Sequence, residues 1–223
     1  MIDCIIFDCD GVLIDSEILS FAVDQQILAG YGINLQPDEI ARDFGGISYG
    51  EMVSTLNERF DMALDAAHYQ QQCEDILYDV FRRELRAIDG MANVLENLRV
   101  PVCVASGSDL DRLALCLGIT QLENFFKNRV FSAQQVAKGK PAPDLFLFAA
   151  KQMGISPHHC LVIEDSPSGV VAANRAGMQA VGFLGGRHRQ NADPALLHDA
   201  GACHVVASGD ALLSCLRDMG LAR

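Results

Sequence analysis

Short apolar runs alternate with amphipathic stretches over most of this chain from about residue 87 onward. Each run is bounded by turn residues, and most runs are continuous rather than alternating. Continuous apolar runs of this length are typical of strands that are covered on both faces of a sheet. After an N-terminal run that ends at Asp8, the predicted strands are VPVCVAS (100–106), RVFS (129–132), CLVIED (160–165), QAVGFL (179–184) and CHVVAS (203–208).

Amphipathic segments between these runs predict helices. They are DLDRLALCLG (109–118), PDLFLFAAKQMG (143–154) and PSGVVAANRAG (167–177), each ending at a glycine. Ser108 stands three residues before Asp111, which resembles a capping box at the start of the first helix. Strands that alternate with helices predict an α/β fold with a Rossmann-like, doubly wound parallel sheet and right-handed crossovers.

Residues 16–86 interrupt that alternation, because they show helical periodicity without strand-like runs. Helices are predicted within 16–32, 48–60 and 65–87. The apolar stripe of the first helix is predicted to contain Ile18, Phe21, Ala22, Gln25 and Leu28. The sequence therefore predicts a core domain of residues 1–15 and 87–223, with residues 16–86 inserted as an all-helical domain. The two crossing points, near residues 15–16 and 86–89, are expected to form a hinge.

Composition narrows the class of partner. The 223 residues carry a formal net charge of −12, which disfavours nucleic acid and anionic membranes because both are bound through Lys and Arg. One small phosphorylated ligand needs only a local positive site and remains compatible. No targeting segment or membrane-length apolar run is visible. Eight scattered cysteines without a C-x-x-C pair indicate reduced thiols in a cytoplasmic protein and no zinc site. A monomer is the default expectation.

Polar residues of a particular kind follow four of the predicted strands. They are Asp8 and Asp10, the segment Ser106-Gly107-Ser108, the lysines Lys138 and Lys140, and the pair Glu164-Asp165. Because ligands of an open parallel sheet bind beyond the carboxyl ends of the strands, we expect these groups to meet at one edge.

The expected cluster suits a hard cation and a phosphate. Mg²⁺ takes oxygen ligands and is often shared with a substrate phosphate, so Asp8, Asp165 and Glu164 are candidate ligands. Ser106 and Lys140 are donors suited to phosphate oxygens or to a neighbouring carboxylate, whereas Lys138 is expected to be solvated. Together these groups predict phosphoryl transfer through an aspartyl-phosphate.

The motifs FDCDGVLIDSE, ASGS, GKPAPD and VIEDSPSGV resemble the four motifs of the haloacid dehalogenase-like (HAD) phosphohydrolase superfamily, in order. The resemblance covers nearly the whole chain. Within this superfamily, the chain resembles the helical-cap branch that includes β-phosphoglucomutases and phosphoglycolate phosphatases. Residues 16–86 would then correspond to the mobile cap. The opening motif and the cap loop of the sequence resemble those of 6-phosphogluconate phosphatases.

That resemblance implies a role for each motif residue. Asp8 would be the nucleophile, and Asp10 would protonate the leaving oxygen and then activate water. Mg²⁺ would be held by Asp8, the backbone carbonyl of Asp10, Asp165 and, directly or through water, Glu164. Phosphate would be bound by Ser106, Gly107 and Lys140. The cap loop 44–50 would contact the substrate through Gly45, Gly46 and Tyr49.

Three functions remain open at this point. A Mg²⁺-dependent phosphatase of a small phosphorylated metabolite, such as a sugar or sugar-acid phosphate, is favoured. A β-phosphoglucomutase is disfavoured, because mutases of this family carry a histidine after the D-[ST] pair and an arginine in the cap loop. The segment DSEILSF has no histidine, and the cap loop offers Tyr49 instead. The third possible function is that of a non-catalytic phosphate-binding protein. Dehalogenation is disfavoured by Asp10.

Other polar residues are expected to be structural. The segment GGRHRQ (185–190) is interpreted as a solvated loop after a strand, with an anion-binding patch as the alternative. Asp15 is expected to cap the first inserted helix or to orient the hinge. His158 and His159 are expected to be exposed.

Overall fold

The computed structural model describes all 223 residues and divides them into two compact units. One unit contains Met1–Asp15 and Arg86–Arg223, and the other contains Ser16–Leu85. Residue 86 therefore belongs to the first unit, whereas the sequence analysis assigned it to the helical insertion. The reason is that the last inserted helix ends at Glu84, so the chain has already left helical structure when it reaches Arg86.

The first unit is built on six parallel strands. Their order across the sheet is β3-β2-β1-β4-β5-β6, which confirms the predicted doubly wound α/β fold. The strands are β1 (Cys4–Phe7), β2 (Val102–Ser106), β3 (Val130–Ser132), β4 (Cys160–Glu164), β5 (Gln179–Phe183) and β6 (His204–Val206). Every residue of β1, β2 and β4 is buried, which explains why these strands appear in the sequence as continuous apolar runs.

Helices cover both faces of this sheet. They are α5 (Met91–Asn97), α6 (Leu110–Ile119), α7 (Glu123–Phe126), α8 (Asp144–Met153), α9 (Pro167–Arg175), α10 (Ala195–Asp199) and α11 (Gly209–Asp218). Cys4 and Ile6 pack in one core with Phe146 of α8 and Val170 of α9. Phe7, whose side chain points the opposite way, packs edge-on against Phe126 of α7 at 6.3 Å between ring centroids.

The order of the strands places the candidate residues. The centre of the sheet is β1, which pairs with β2 on one side and β4 on the other. The chain moves outward from β1 in both directions, so the switch point lies at the carboxyl ends of β1 and β4. Ligands of doubly wound sheets bind at such a point.

The second unit contains four helices. They are α1 (Glu17–Gly30), α2 (Pro37–Phe44), α3 (Tyr49–Phe60) and α4 (Ala66–Glu84). Helix α2 is not among the predicted helices, although Pro37 at its first position and a capping box between Gln36 and Glu39 mark its start. Its eight residues bury only Ile40 and Phe44, so the apolar periodicity that it shows is short.

The predicted apolar stripe of α1 is only partly right. Phe21 and Leu28 are buried, but Ala22 is exposed, and Ile18 and Gln25 are only partly covered. The buried residues that the stripe missed are Leu19, Val23, Asp24 and Ile27. Helix α1 packs against both α2 and α4, so its buried surface is broader than one narrow stripe.

None of the eleven helices combines the length and apolar character that crossing a bilayer requires. All eight cysteines are free thiols, and six of them are buried.

Candidate active site

Asp8 follows directly after β1 and is 7% exposed. The ammonium of Lys140 donates to its Oδ1 at 2.7 Å. These residues are 132 positions apart in the chain, and the turn before α8 brings Lys140 to the end of β1. Lys138, by contrast, is exposed, as the sequence analysis expected.

Lys140 also binds a second carboxylate. Its Nζ lies 2.5 Å from Oε1 of Glu164, at the end of β4, and 5.1 Å from the ring centroid of Phe146. Burial alone would lower the pKa of Lys140, but the charges of Asp8 and Glu164 outweigh it and raise that pKa. Lys140 therefore stays positively charged between the two carboxyl groups.

Asp8, Glu164 and Asp165 form a buried carboxylate cluster. Each of the three offers an oxygen, and these oxygens lie within 4.8 Å of one another. Burial and the negative charges of Glu164 and Asp165 raise the pKa of Asp8 well above its ordinary value, although Lys140 opposes the shift. The three carboxyl groups therefore lie close enough together to share one ion.

Glu164 has protein donors on both of its oxygens. Oε1 accepts from Lys140, while Oε2 accepts from the backbone N–H and the hydroxyl of Ser166, each at 2.9 Å. Asp8 is different, since Lys140 engages only its Oδ1. The oxygens of the cluster are therefore not equally available to a cation.

Asp10 has its own set of partners. Its Oδ2 accepts from the hydroxyls of Ser108 at 2.7 Å and Ser106 at 3.4 Å, and its Oδ1 accepts from Nη2 of Arg112 at 2.9 Å. The prediction that Ser108 caps α6 is therefore wrong. Asp109 caps that helix by accepting from the N–H of Arg112, because the hydroxyl of Ser108 is turned toward Asp10.

The carboxylate of Asp10 lies outside the carboxylate cluster. The backbone carbonyl of Asp10, rather than its side chain, was expected to bind the metal, and that role stays a prediction. Ser106 is buried at the end of β2, and Gly107 follows it in an exposed turn. Their predicted phosphate-binding roles also stay predictions.

The segment 185–190 is not the solvated loop that the sequence analysis favoured. Nε2 of His188 lies 2.9 Å from Oδ2 of Asp165, and Nε of Arg189 lies 3.3 Å from the same oxygen. Burial alone would raise the pKa of Asp165, but the hydrogen bond from His188 and the charge of Arg189 hold it below its ordinary value. The alternative anion patch is weakened too, because these basic side chains face carboxylates.

Asp15 interacts with the same segment. Its Oδ1 accepts from the backbone N–H of Arg187 at 3.1 Å, and its Oδ2 accepts from the guanidinium of Arg187. The capping role expected for Asp15 is wrong, since Ser16 is the residue at the N-cap of α1. The exposed positions of His158 and His159 agree with expectation.

The predicted substrate contacts of the cap loop lie within the helical unit. Gly45 follows the last residue of α2, Gly46 has a positive φ of 82°, and Tyr49 begins α3. The ring of Tyr49 lies 6.0 Å from that of Tyr69 in α4. That these residues contact a substrate stays a prediction.

Comparison with known proteins gives a consistent picture. A family model described as haloacid dehalogenase-like hydrolase matches residues 2–177. The 6-phosphogluconate phosphatase of Escherichia coli K12 is 27% identical, over 85% of this chain and 86% of its own length. The phosphorylated carbohydrates phosphatase of Thermotoga maritima is 30% identical, over 92% of this chain and 94% of its own length. The crystal structure of a HAD family hydrolase from Deinococcus radiodurans R1, with bound phosphate and sodium, superposes with a TM-score of 0.83 at 34% identity. The superposition covers 99% of this chain and 97% of the Deinococcus chain.

Proposed function

Because this chain belongs to the haloacid dehalogenase-like hydrolase family, we propose that it hydrolyses phosphoric monoesters of a small metabolite with Asp8 as nucleophile. The chain is a hydrolase of the phosphatase type, as its relatives are. The observation that carries the mechanism is the carboxylate cluster of Asp8, Glu164 and Asp165 around one lysine.

The donor set of this cluster fits Mg²⁺. All of its ligand atoms are carboxylate oxygens, which magnesium prefers, and they lie within 4.8 Å of one another. Oδ2 of Asp8 and Oδ1 of Asp165 accept no hydrogen bond, whereas both oxygens of Glu164 do. We therefore assign Asp8 and Asp165 as direct ligands and Glu164 as a supporting carboxylate. When bound, the ion supplies positive charge for the phosphoryl oxygens.

Two steps on phosphorus follow from the remaining residues. In the first, a carboxylate oxygen of Asp8 bonds to phosphorus while the ester bond breaks, and Asp10 gives a proton to the leaving oxygen. In the second, Asp10 removes a proton from water as the water attacks phosphorus, which releases phosphate and frees Asp8. General acid–base catalysis of this kind contributes about 10²- to 10⁴-fold.

The residues around Asp8 and Asp10 support the different roles proposed for these two aspartates. Lys140 holds Asp8 and can neutralise charge on the phosphoryl group. Ser106, Ser108 and Arg112 hydrogen-bond to the carboxylate of Asp10, whereas Lys140 hydrogen-bonds to that of Asp8. Two aspartates that are two residues apart are thereby suited to different tasks.

For the substrate we propose a sugar phosphate or sugar-acid phosphate. Two relatives that span most of this chain are a 6-phosphogluconate phosphatase and a phosphatase of phosphorylated carbohydrates. Gly45, Gly46 and Tyr49 of the helical unit are proposed to select among such substrates.

A phosphatase screen tests this proposal. The panel holds sugar phosphates, sugar-acid phosphates, phosphoglycolate and nucleotides, each with Mg²⁺ and with a chelator. We expect phosphate release from a carbohydrate phosphate in the presence of Mg²⁺, and none from Asp8→Asn. As a matched control, Asp79→Asn changes an exposed aspartate and should keep full activity. Isomerisation of glucose 1-phosphate that requires a bisphosphate would instead favour a mutase, and no turnover of any ester would favour a binding protein.

A further inference from the structure

The turn at residues 186–189 brings an imidazole to the candidate metal site. The side chain of His188 is 4% exposed, and its Nε2 lies 2.9 Å from Oδ2 of Asp165. His188 is 23 residues beyond Asp165 and follows β5 rather than β4. It lies in the segment GGRHRQ (185–190), outside the four motifs that resemble the HAD superfamily, and the catalytic steps described above do not use it.

Glycines make room for this imidazole. A Cβ on Gly11 would lie 2.7 Å from Cε1 of His188, and a Cβ on Gly186 would lie 2.8 Å from its Nδ1. Real Cβ atoms essentially never approach that closely, so the ring fits only because both positions are glycine. The loop after β1 and the turn after β5 therefore hold the ring from two sides.

The contact distinguishes the two oxygens of Asp165. His188 and Arg189 both approach Oδ2, and Oδ1 accepts no hydrogen bond. Arg187 fixes the same turn through its backbone N–H and guanidinium, which bind Asp15. A carboxylate whose one oxygen is held by a rigid donor presents the other oxygen in a single direction. Asp165 belongs to the carboxylate cluster with Asp8 and Glu164, and its Oδ1 is the oxygen without a hydrogen-bond donor.

We propose that His188 is a positioning residue that holds Oδ2 of Asp165 and so presents Oδ1 to the divalent cation. Arg189 assists by adding positive charge beside the same oxygen. The inference rests on the proposed function, because it takes Asp165 to be a ligand of that cation. Partners that orient metal ligands in this way typically affect metal affinity or activity by about 10- to 100-fold when they are removed.

Two substitutions of similar size separate the hydrogen bond from packing. His188→Gln keeps an N–H donor, and His188→Met fills the space without one. His159→Met is the matched control, since His159 contacts Asp3 at 2.8 Å on the exposed surface. Circular dichroism checks that each variant is folded, and binding is measured without substrate, by calorimetry with Mg²⁺ and by electron paramagnetic resonance with Mn²⁺.

We expect His188→Met to weaken Mg²⁺ and Mn²⁺ binding by roughly 10- to 100-fold, His188→Gln to recover most of it, and His159→Met to match wild type. Turnover of His188→Met at saturating Mg²⁺ should approach the wild-type rate, since the ligands themselves remain. Equal affinity in the Gln and Met variants would overturn the positioning role, whether both match wild type or both are weakened. A wild-type protein that hydrolyses esters without binding either ion would instead refute the proposed metal site.

Discussion

Asp8 and Asp10 are chemically identical and two residues apart, yet their surroundings differ. Burial and the negative charges of Glu164 and Asp165 raise the pKa of Asp8, and the ammonium of Lys140 opposes that shift. Asp10 is bound by a guanidinium and two hydroxyls, and it lies outside the carboxylate cluster. In the proposed mechanism, the group that accepts the phosphoryl group and the group that exchanges protons therefore have different hydrogen-bond partners.

Arg112 is the partner that matters most for Asp10 in this account. Its Nη2 lies 2.9 Å from the carboxylate, and the side chains of Arg112 and Asp10 are only 18% and 13% exposed. A positioned acid–base group contributes about 10²- to 10⁴-fold to the rate, so loosening the hold on Asp10 in Arg112→Met should lower kcat roughly 10- to 100-fold. KM should change little, because Asp10 is assigned to chemistry rather than to binding. Steady-state kinetics measure both.

An exposed arginine provides the control for that measurement. Arg82 pairs with Asp79 at 2.8 Å, and both side chains are more than half exposed. Exposed pairs of this kind contribute little, so Arg82→Met should leave kcat unchanged. A wild-type kcat in Arg112→Met would show that Asp10 does not depend on this partner.

At the residue scale the sequence identifies the groups that carry motifs and misses those that support them. Asp8, Lys140 and Asp165 stand out because charged residues directly after apolar strands are unusual. Arg112 and His188 give no such signal, because each lies in a polar turn or on a helix where basic residues are common. Their partners are 102 and 23 residues away, and only the folded sheet brings them together.

The turn from β4 into α9 shows how one element supports the site. The hydroxyl of Ser166 caps α9 by accepting from the N–H of Gly169, and it also donates to Glu164. Gly169 is buried against the carboxyl group of Glu164, and a Cβ at this position would overlap with it. The helix can therefore approach Glu164 only with glycine at residue 169.

Gly169→Ala should thus displace Glu164 and disturb Lys140. Overpacking of a buried site costs about 1–3 kcal/mol, and we expect a matching loss of stability together with at least a tenfold fall in kcat/KM. Urea unfolding and steady-state kinetics measure the two effects. Gly118→Ala is the control, since Gly118 is exposed in α6 with no atom near its Cβ position.

The control should behave in the opposite way. Alanine is favoured over glycine inside a helix by up to about 1 kcal/mol, so Gly118→Ala should be slightly more stable with unchanged activity. Equal activity of Gly169→Ala and wild type would contradict the supporting role of Glu164.

Elements were predictable where their patterns were long. All five later strands and the helices α6, α8 and α9 follow apolar runs and glycine stops in the sequence. Helices α2, α5, α7 and α10 are not predicted from the sequence, because each has eight residues or fewer and its apolar pattern spans at most about two turns. Helix α11 is not predicted either, although its ten residues bury Leu212, Leu213 and Leu216. The start of α6 was misplaced because Ser108 binds Asp10, a contact that local patterns do not reveal.

For the whole molecule, a net charge of −12 and a buried carboxylate cluster have a thermodynamic consequence. A cation that binds only the folded chain stabilises it by about 2.7 kcal/mol at a free concentration of 100 times its Kd. For chains of this size that corresponds to a rise in Tm of roughly 5–10 °C. We expect Mg²⁺ to raise Tm by this amount and a chelator to reverse the rise.

Variants locate the origin of that effect. Asp165→Asn should lose most of the response to Mg²⁺, whereas Asp79→Asn, on the exposed surface, should keep it. Calorimetric scans of the full chain give both values. The metal site assigned here is wrong if Mg²⁺ activates turnover but leaves the Tm of the wild-type protein unchanged, or if Asp165→Asn responds as wild type does.

The central claim is that the phosphoryl group passes through Asp8, and trapping that intermediate tests it most directly. Asp10→Asn should slow hydrolysis of the adduct, and an aryl phosphate, whose leaving group needs no proton from Asp10, should still form it. Acid quenching of this variant during turnover of an aryl phosphate should therefore preserve a covalent adduct. Mass spectrometry of the digested protein is predicted to find one phosphoryl group on the peptide that contains residue 8, and none in Asp8→Asn. Turnover without any adduct on that peptide, combined with activity in Asp8→Asn, would contradict the account.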